Sequence, residues 1–414
     1  MGYSYMGNVR RQYFVSLFQS LIPAYVIERL FWQERGVGVQ GVVWCEVIYA
    51  LTVIALEIPS GVLADRFGRK RMLLLCGVFD VAEFVILLFA RDFWAFGLAV
   101  FLAGVGRSFS SGTRNALLYD SLLAEGRQGE FEKLLGRLSA VDFGGSVAAA
   151  LSGGVLANWL GYEFNYIVSA CAMGMALLVI LTLKEPPIAP RPEGELAGSL
   201  QYAKQALAVF RAEPLVVLYC LTGAVLGACM IYPDEFWQLA LESAGVPVVF
   251  FGAVGAGVSL CRIPGNLLAY KLQEKFSYRA ILIAILLVNA AGYAVLFFTR
   301  SALCLVPLAA LYLAAGVSEP LIAGYLHHRT ESNVRATTES FASLALRLFS
   351  MPAGLVFGYI SARHTVFAGF LPLGTICLGW LVVFLIPQFW RGSPCGRSCT
   401  HRSRWTGPAA GPRT

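Results

Sequence analysis

Among the charged residues that interrupt the apolar runs of this sequence, the candidates for chemistry are Glu46, Glu57, Asp80, Glu83, Arg107, Arg114, Asp120, Asp142, Arg262, Glu319 and Arg347. Carboxylates and guanidiniums inside an apolar segment can carry protons, pair with one another or line a water-filled path. They do not by themselves make a catalytic centre. The four histidines, His327, His328, His364 and His401, all fall outside the runs, and neither Gly-x-Ser-x-Gly nor His-Glu-x-x-His occurs. No catalytic residue and no enzyme activity are expected. No Gly-Lys-Ser/Thr phosphate cradle is present, so the expected energy source is an ion gradient, most simply of protons, with no cofactor. Eight of the ten cysteines lie in apolar runs, where a small buried side chain is the ordinary reading. Cys395, Cys399 and His401 sit together near the end, too few donors to carry a metal site.

The elements that must position these charges follow from composition. Of 414 residues 57% are hydrophobic and only 14% charged, against roughly 25% charged in a soluble domain. Lipid is the solvent such a chain fits, and a helix needs about 20 mostly apolar residues to cross the bilayer core. Twelve such runs can be placed, at about 12–32, 41–63, 72–90, 94–121, 135–157, 163–183, 214–237, 245–269, 279–299, 301–325, 338–361 and 365–388. Spans 9 and 10 are separated mainly by Arg300. The opening "MGYSYMGNVRRQYF" lacks a small-residue cleavage site, so no removable signal peptide is expected. With twelve spans and the N-terminus inside, 23 of the 32 Lys and Arg residues fall in cytoplasmic segments. Five, Arg29 among them, fall on the outer side, and Arg107, Arg114, Arg262 and Arg347 lie within spans. This asymmetry places both termini in the cytoplasm of a bacterial-type cytoplasmic (inner) membrane. It also assigns the net charge of +7 to topology rather than to nucleic acid.

Residues 185–213 form the only long interior break. "EPPIAPRPEGE" reads as a linker, and Leu196, Leu200, Ala203, Leu207 and Phe210 then recur at helical steps, as on a helix lying on the membrane surface. The expected organisation is a six-helix bundle over 1–184, this linker over 185–213, a second six-helix bundle over 214–390 and a disordered cytoplasmic tail over 391–414. The bundles resemble each other: at an offset of 205, Ile58, Pro59, Leu63 and Ala64 recur as Ile263, Pro264, Leu268 and Ala269. The fold class is therefore an all-α membrane protein of twelve helices in two parallel six-helix repeats. In such a fold the substrate site forms near the midplane between the halves.

"GVLADRFGRKR", which joins spans 2 and 3, resembles the loop signature of the major facilitator superfamily, with Gly61, Asp65, Arg66, Gly68, Arg69 and Lys70 in its positions. "EIPS" before it, and "SGTRNALLYDSL" on span 4, resemble the drug-exporter-like branch. Asp65 ends span 2, where an acid opposes its own helix dipole and needs an outside partner; the resemblance implies the start of span 11, near "RATTES" at 335–340. On span 5, Gly136, Gly145, Gly153 and Gly154 keep the spacing of the exporters' glycine motif, while Ala149 and Ala150 stand where that motif has Gly-Pro. The resemblance further implies a proton-coupling role for Arg107 and a cavity lined by spans 1, 4, 7 and 10. That nominates Gln19, Tyr25, Ser111, Thr222, Trp237 and Tyr312, a mixed aromatic and polar wall suited to an amphipathic molecule.

Three intramembrane charges meet opposite charges at the 205-residue offset: Glu57 with Arg262, Arg114 with Glu319, and Asp142 with Arg347. They suggest a cytoplasmic gate, with Glu57–Arg347 and Asp142–Arg262 paired across the halves and Arg114 facing Glu319. The function expected is secondary active transport by a monomer bound to membrane lipids, exporting a small molecule against protons by alternating access. The alternatives are a proton-coupled importer of a nutrient or organic anion, and a non-transporting sensor on the same fold.

Overall fold

The computed structural model of the chain describes residues 5–110, 113–186, 214–329 and 335–389, apart from the side chains at 58, 61, 62, 65, 66, 132, 327–329, 335–340 and 387–389. Most of the linker expected at 185–213 and the whole tail at 391–414 lie outside the described residues. Every regular element among those residues is a helix. In the first half they are α1 (Met6–Ser20), α2 (Glu28–Glu34), α3 (Val39–Phe67), α4 (Arg69–Phe89), α5 (Phe93–Ser110), α6 (Thr113–Leu123), α7 (Phe131–Leu160) and α8 (Tyr162–Thr182). In the second they are α9 (Pro214–Ser243), α10 (Phe251–Leu260), α11 (Arg262–Lys275), α12 (Tyr278–Phe298), α13 (Leu305–Arg329), α14 (Arg335–Arg363) and α15 (Val366–Phe389).

Eleven stretches are long and apolar enough to cross a membrane, and α1 with α2, bent by 49°, supplies a twelfth. α1 ends ahead of Pro23, which has no amide to continue it and opens a short 3-10 turn, and the bend follows at Ile27, where that turn gives way to α2. Span 4 is α5 followed by α6, and span 8 is α10 followed by α11. Span 8 breaks at Cys261, three residues ahead of Pro264, whose ring cannot sit against a continuing helix. Single residues join spans 2 to 3 and 5 to 6: Gly68 at φ 98° and Gly161 at φ 84°, conformations that a side chain strongly disfavours.

The repeat is visible in the packing. Span 2 lies on span 4 as span 8 lies on span 10; span 3 lies on span 6 as span 9 on span 12; span 1 lies on span 5 as span 7 on span 11. Aromatic side chains fill each half, with Phe31 against Tyr166 at 4.2 Å between centroids in the first and Phe236 against Phe357 at 4.9 Å in the second.

Twelve crossings put the start of span 1 and the end of span 12 at one end of the bundle. That end also carries the basic joints with Arg69, Lys70, Arg71, Lys133, Arg137, Lys271 and Lys275, and is called the basic end below; the opposite end is the distal end. Close contact between the halves concentrates at the distal end. There α7 meets the turn before α10 and α10 itself, whereas α11, the other part of span 8, packs on α13. The contact is backbone on backbone. A Cβ on Gly154 would lie 2.8 Å from the carbonyl oxygen of Val248, and one on Gly252 would overlap the carbonyl of Ala150. Gly358 of span 11 meets Gln40 and Val43 of span 2 in the same way, at 2.9 and 3.0 Å. Small residues permit this approach, and membrane helices associate largely through such packing.

Gly252→Val should therefore cost about 1–3 kcal/mol by overpacking. Gly257→Val on the same helix should cost less, because a Cβ there meets nothing within 4 Å. Thermal unfolding of the two purified variants checks this, and equal midpoints would show that the Gly252 contact constrains nothing.

Candidate functional site

A central cavity of about 780 Å³ lies between the halves. Its walls carry six acids, Glu28, Glu46, Asp80, Glu83, Asp234 and Glu235, and four arginines, Arg29, Arg107, Arg114 and Arg347. The distal part is built around Arg29, whose side chain is only 4% exposed. Its guanidinium reaches Glu46 of span 2 at 3.0 Å, Glu28 at 3.5 Å and Glu235 of span 7 at 3.0 Å. Arg29 also lies over the Trp32 ring at 4.8 Å. The tie between halves is doubled through Gln238. It accepts from the Arg29 backbone N–H at 2.9 Å and donates to the carbonyl of Tyr25 at 2.8 Å. One buried cation thus holds acids from both halves, at the end where the glycine contacts lie.

Deeper toward the basic end, Asp80 and Glu83 stand one turn apart on α4. Gln19 donates to Asp80 at 3.1 Å, and the Cys76 thiol lies 3.4 Å from the same oxygen. Neither acid has an ion-pair partner among the described residues. On the opposite wall Arg262 bonds Asp234 at 2.8 Å, lies 3.7 Å from Glu319 and covers the Tyr312 ring at 5.1 Å.

At the basic end of the first half, Glu185, just past span 6, accepts from the backbone N–H groups of Arg69 and Lys70 at 2.7 and 2.8 Å. It thereby satisfies the first turn of α4, where a carboxylate also suits the helix dipole. Arg69 reaches Asp120 at the end of α6 at 3.4 Å. Asn8 closes the ring, accepting from Lys184 N at 2.9 Å and donating to Lys184 O at 2.8 Å.

The sequence profile of the Major Facilitator Superfamily matches residues 12–237, more than half of the chain. The chain belongs to this superfamily. Enterobactin exporter EntS of Salmonella typhi is 28% identical over 228 residues, 52% of this chain and 52% of its own length. The chain spans about half the length of that exporter. Tetracycline resistance protein, class G, of Vibrio anguillarum is 23% identical over 367 residues, 86% of this chain and 85% of its own. Among solved structures, a D-xylose-proton symporter superposes with a TM-score of 0.69 at 15% identity, over 92% of this chain and 97% of that one, a likeness of fold. The fold is that of a facilitator transporter, an integral membrane protein.

The expected sites of this facilitator are distributed unevenly. Gln19, Tyr25, Arg107, Trp237 and Tyr312 line the central cavity, and Ser111 lies outside the described residues. Thr222 does not line it: it is fully buried, donates to Leu218 O at 2.7 Å and accepts from Trp380 at 3.0 Å. Gly68, Arg69 and Lys70 of the loop signature sit on the Glu185–Asp120 ring. The side-chain positions of Gly61, Asp65 and Arg66, and of the 335–340 segment expected to receive Asp65, lie outside the description. The span 5 glycines serve packing: Gly145 abuts Ser20, Gly153 lies against Pro23 O, and Gly154 meets span 8, while a Cβ on Gly136 meets nothing. Through this region α7 runs unbroken.

The cross-half gate pairs are not formed in this conformation. Asp142 lies 3.8 Å from Arg114 of its own half, which also bonds Ser16, and Arg262 is taken by Asp234 and Glu319. Glu57 is exposed, Arg347 lines the cavity, and Glu319 is 61% exposed beside a separate apolar cavity of about 410 Å³ between spans 7, 10 and 11. Where the halves lack close contact, Asp142, Arg114, Arg262 and Glu319 take partners within their own halves. The Arg29 cluster escaped the sequence reading, which put Arg29 outside the membrane. Its signals were Pro23 within the span and the acid pair in "YPDEFW" at 232–237.

Glu235→Gln should loosen the distal tie while Arg29 keeps Glu28 and Glu46. Hydrogen bonds to charged groups contribute about 1.5–3 kcal/mol, so maleimide labelling of Val248→Cys should rise roughly ten-fold or more, as each 1.4 kcal/mol is a factor of ten. Unchanged labelling would remove Arg29 from the closure.

Proposed function

We propose that this facilitator exports a small amphipathic molecule in exchange for protons, by alternating access, as a monomer in the cytoplasmic (inner) membrane. Both termini are cytoplasmic in this reading, in keeping with the basic loops at that end. The distally closed cavity then opens inward, and the conformation is inward-open. One observation carries the coupling. Asp80 and Glu83 face the cavity with no cation in an ion pair with either among the described residues, and acids so placed in membrane proteins mark proton routes. Arg107, on the same cavity, offers positive charge to a carboxyl that has released its proton. No cofactor takes part, the proton gradient supplying the energy. The outward direction is supported by the exporters to which the chain is similar.

In each cycle the Arg29 tie to Glu235 breaks as the distal end opens, and the ends of spans 5 and 8 separate at Gly154 and Gly252. The basic end closes in the same step. Glu57 with Arg347, and Asp142 with Arg262, are the charges placed to meet there.

Efflux from cells loaded with a fluorescent amphipathic dye should stop within the time a protonophore needs to collapse the gradient. Efflux that continues without a gradient and follows ATP would overturn the reading, and gradient-driven accumulation instead of efflux would reverse its direction.

A further inference from the structure

Away from the central cavity, the second half carries a groove of about 780 Å³ on its distal outer surface, between spans 9, 11 and 12. Its floor is span 12, where Ala368, Leu371, Pro372 and Thr375 recur at three- and four-residue steps and so share one face of the helix. Phe297 of span 9 forms one wall, and Val356 and Ile360 of span 11 form the other. Val356 and Leu371 are exposed, and exposed apolar side chains on membrane-crossing helices face lipid. Gly358, which meets span 2, stands two residues from both Val356 and Ile360 and so lies on the opposite side of span 11. The groove is therefore separate from the contact between the halves.

Its length fits one leaflet. From Thr365, just ahead of span 12, to Thr375 is about 15 Å at 1.5 Å per residue, half of a hydrocarbon core about 30 Å thick. Its mouth lies where the spans end. Arg300 follows span 9, and His364 and Thr365 join span 11 to span 12, all three exposed and all three lining the groove. Trp94 and Trp159, exposed at the distal ends of spans 4 and 5, mark the same membrane–water interface, where tryptophan collects.

The mouth sets the charge of the occupant. Among the described residues neither the Arg300 nor the His364 side chain has an ion pair or a hydrogen bond. Other distal bases are occupied: Arg35 pairs with Glu163 at 2.8 Å, and Arg363 lies over the Tyr359 ring at 4.1 Å. Guanidinium and imidazole N–H groups hold phosphate oxygens well. Thr365 accepts from the Ala368 backbone N–H at 3.3 Å, which leaves its own hydroxyl proton to donate. The joints at 299–304 and 361–366 contain no acid. The ammonium of a zwitterionic phospholipid would find no counter-charge there, whereas a lipid of net negative charge needs none. A free anion would leave the apolar groove unfilled.

We infer that this groove is a binding site for an anionic phospholipid of the distal leaflet, its phosphate at Arg300, His364 and Thr365 and one acyl chain along span 12.

A photo-crosslinker, p-benzoylphenylalanine in place of Leu371, tests it. The full chain is placed in vesicles of equal parts dioleoyl-phosphatidylglycerol and dioleoyl-phosphatidylcholine, irradiated, and its adducts are identified by mass spectrometry. The same crosslinker in place of Ile167, exposed at matching depth on span 6, samples unselected lipid. The ratio of glycerol to choline lipid adducts should be about five-fold or more higher at 371 than at 167, the factor that one base near an anionic headgroup supplies. Arg300→Gln with His364→Gln should bring the ratio at 371 down to that at 167. Val356→Trp, which fills the groove and touches no charge, should do the same, and keeps the test decisive if the double variant does not fold. Equal ratios at the two positions, or an undiminished preference in both variants, would overturn the inference. A protein–protein adduct at 371 in place of a lipid adduct would assign the face to a second copy of the chain and overturn it as well.

Discussion

A guanidinium buried among membrane helices must find its counter-charges inside the protein, because insertion of an unpaired one costs about 2.5–3.5 kcal/mol or more. Arg29 meets this demand with acids from both halves, and the other distal features follow. The bend at Ile27, after the turn that Pro23 opens, carries α2 inward, so that Arg29 faces Glu46 rather than water. Trp32 and Phe31 then pack as core side chains of the first half, on Phe96 and Tyr166. The glycine contacts of spans 5 and 8 bring the halves close enough for Glu235 to reach across.

The partners of Arg29 are divided unevenly between the halves. Two of its acids, Glu28 and Glu46, belong to its own half, and only Glu235 belongs to the other. Removing one partner of a buried ion pair is strongly destabilising when it strands a charge, by about 3–5 kcal/mol. Here two of the three carboxylates stay with the cation in its own half, and only the Glu235 contact spans the halves.

The sequence disclosed those parts of the molecule that depend on local composition. Twelve apolar runs became twelve spans, Arg300 did mark the boundary between spans 9 and 10, and the 205-residue offset recurs as matched helix packing. Five of the cavity residues could be named because a family resemblance supplied the spans that line it. What stayed hidden depends on direction in space. Thr222 lies on a cavity-lining span but on the face toward Trp380, and a run of apolar residues does not report helix rotation. Arg29 lies near the end of its run, where charge ordinarily means solvent, and only the bend turns it inward. Glu185 lies beyond span 6, and its role as a cap depends on how closely spans 3 and 6 approach.

The charge matches between the halves show why the gate pairs could not be read from sequence spacing. Besides the three already named, Arg29 falls on Asp234, Arg69 on Glu274 and Glu130 on Arg335 at the same offset, so six positions carry opposite signs in the two repeats. Inverted signs are satisfied equally well by pairing across the halves or along each half. In the second half the chain runs within the repeat, Asp234 to Arg262 to Glu319, linking spans 7, 8 and 10. The first half does not copy it: Arg29 turns to Glu46 and Arg114 to Asp142, leaving Glu57 exposed. The positions of Asp80 and Glu83 have only Ile285 and Val288 as counterparts. A scaffold duplicated in its packing is therefore asymmetric in its charges. The excess of acid on span 3 has no basic mirror on span 9, and only the first half carries two carboxyls at this point of the cavity wall.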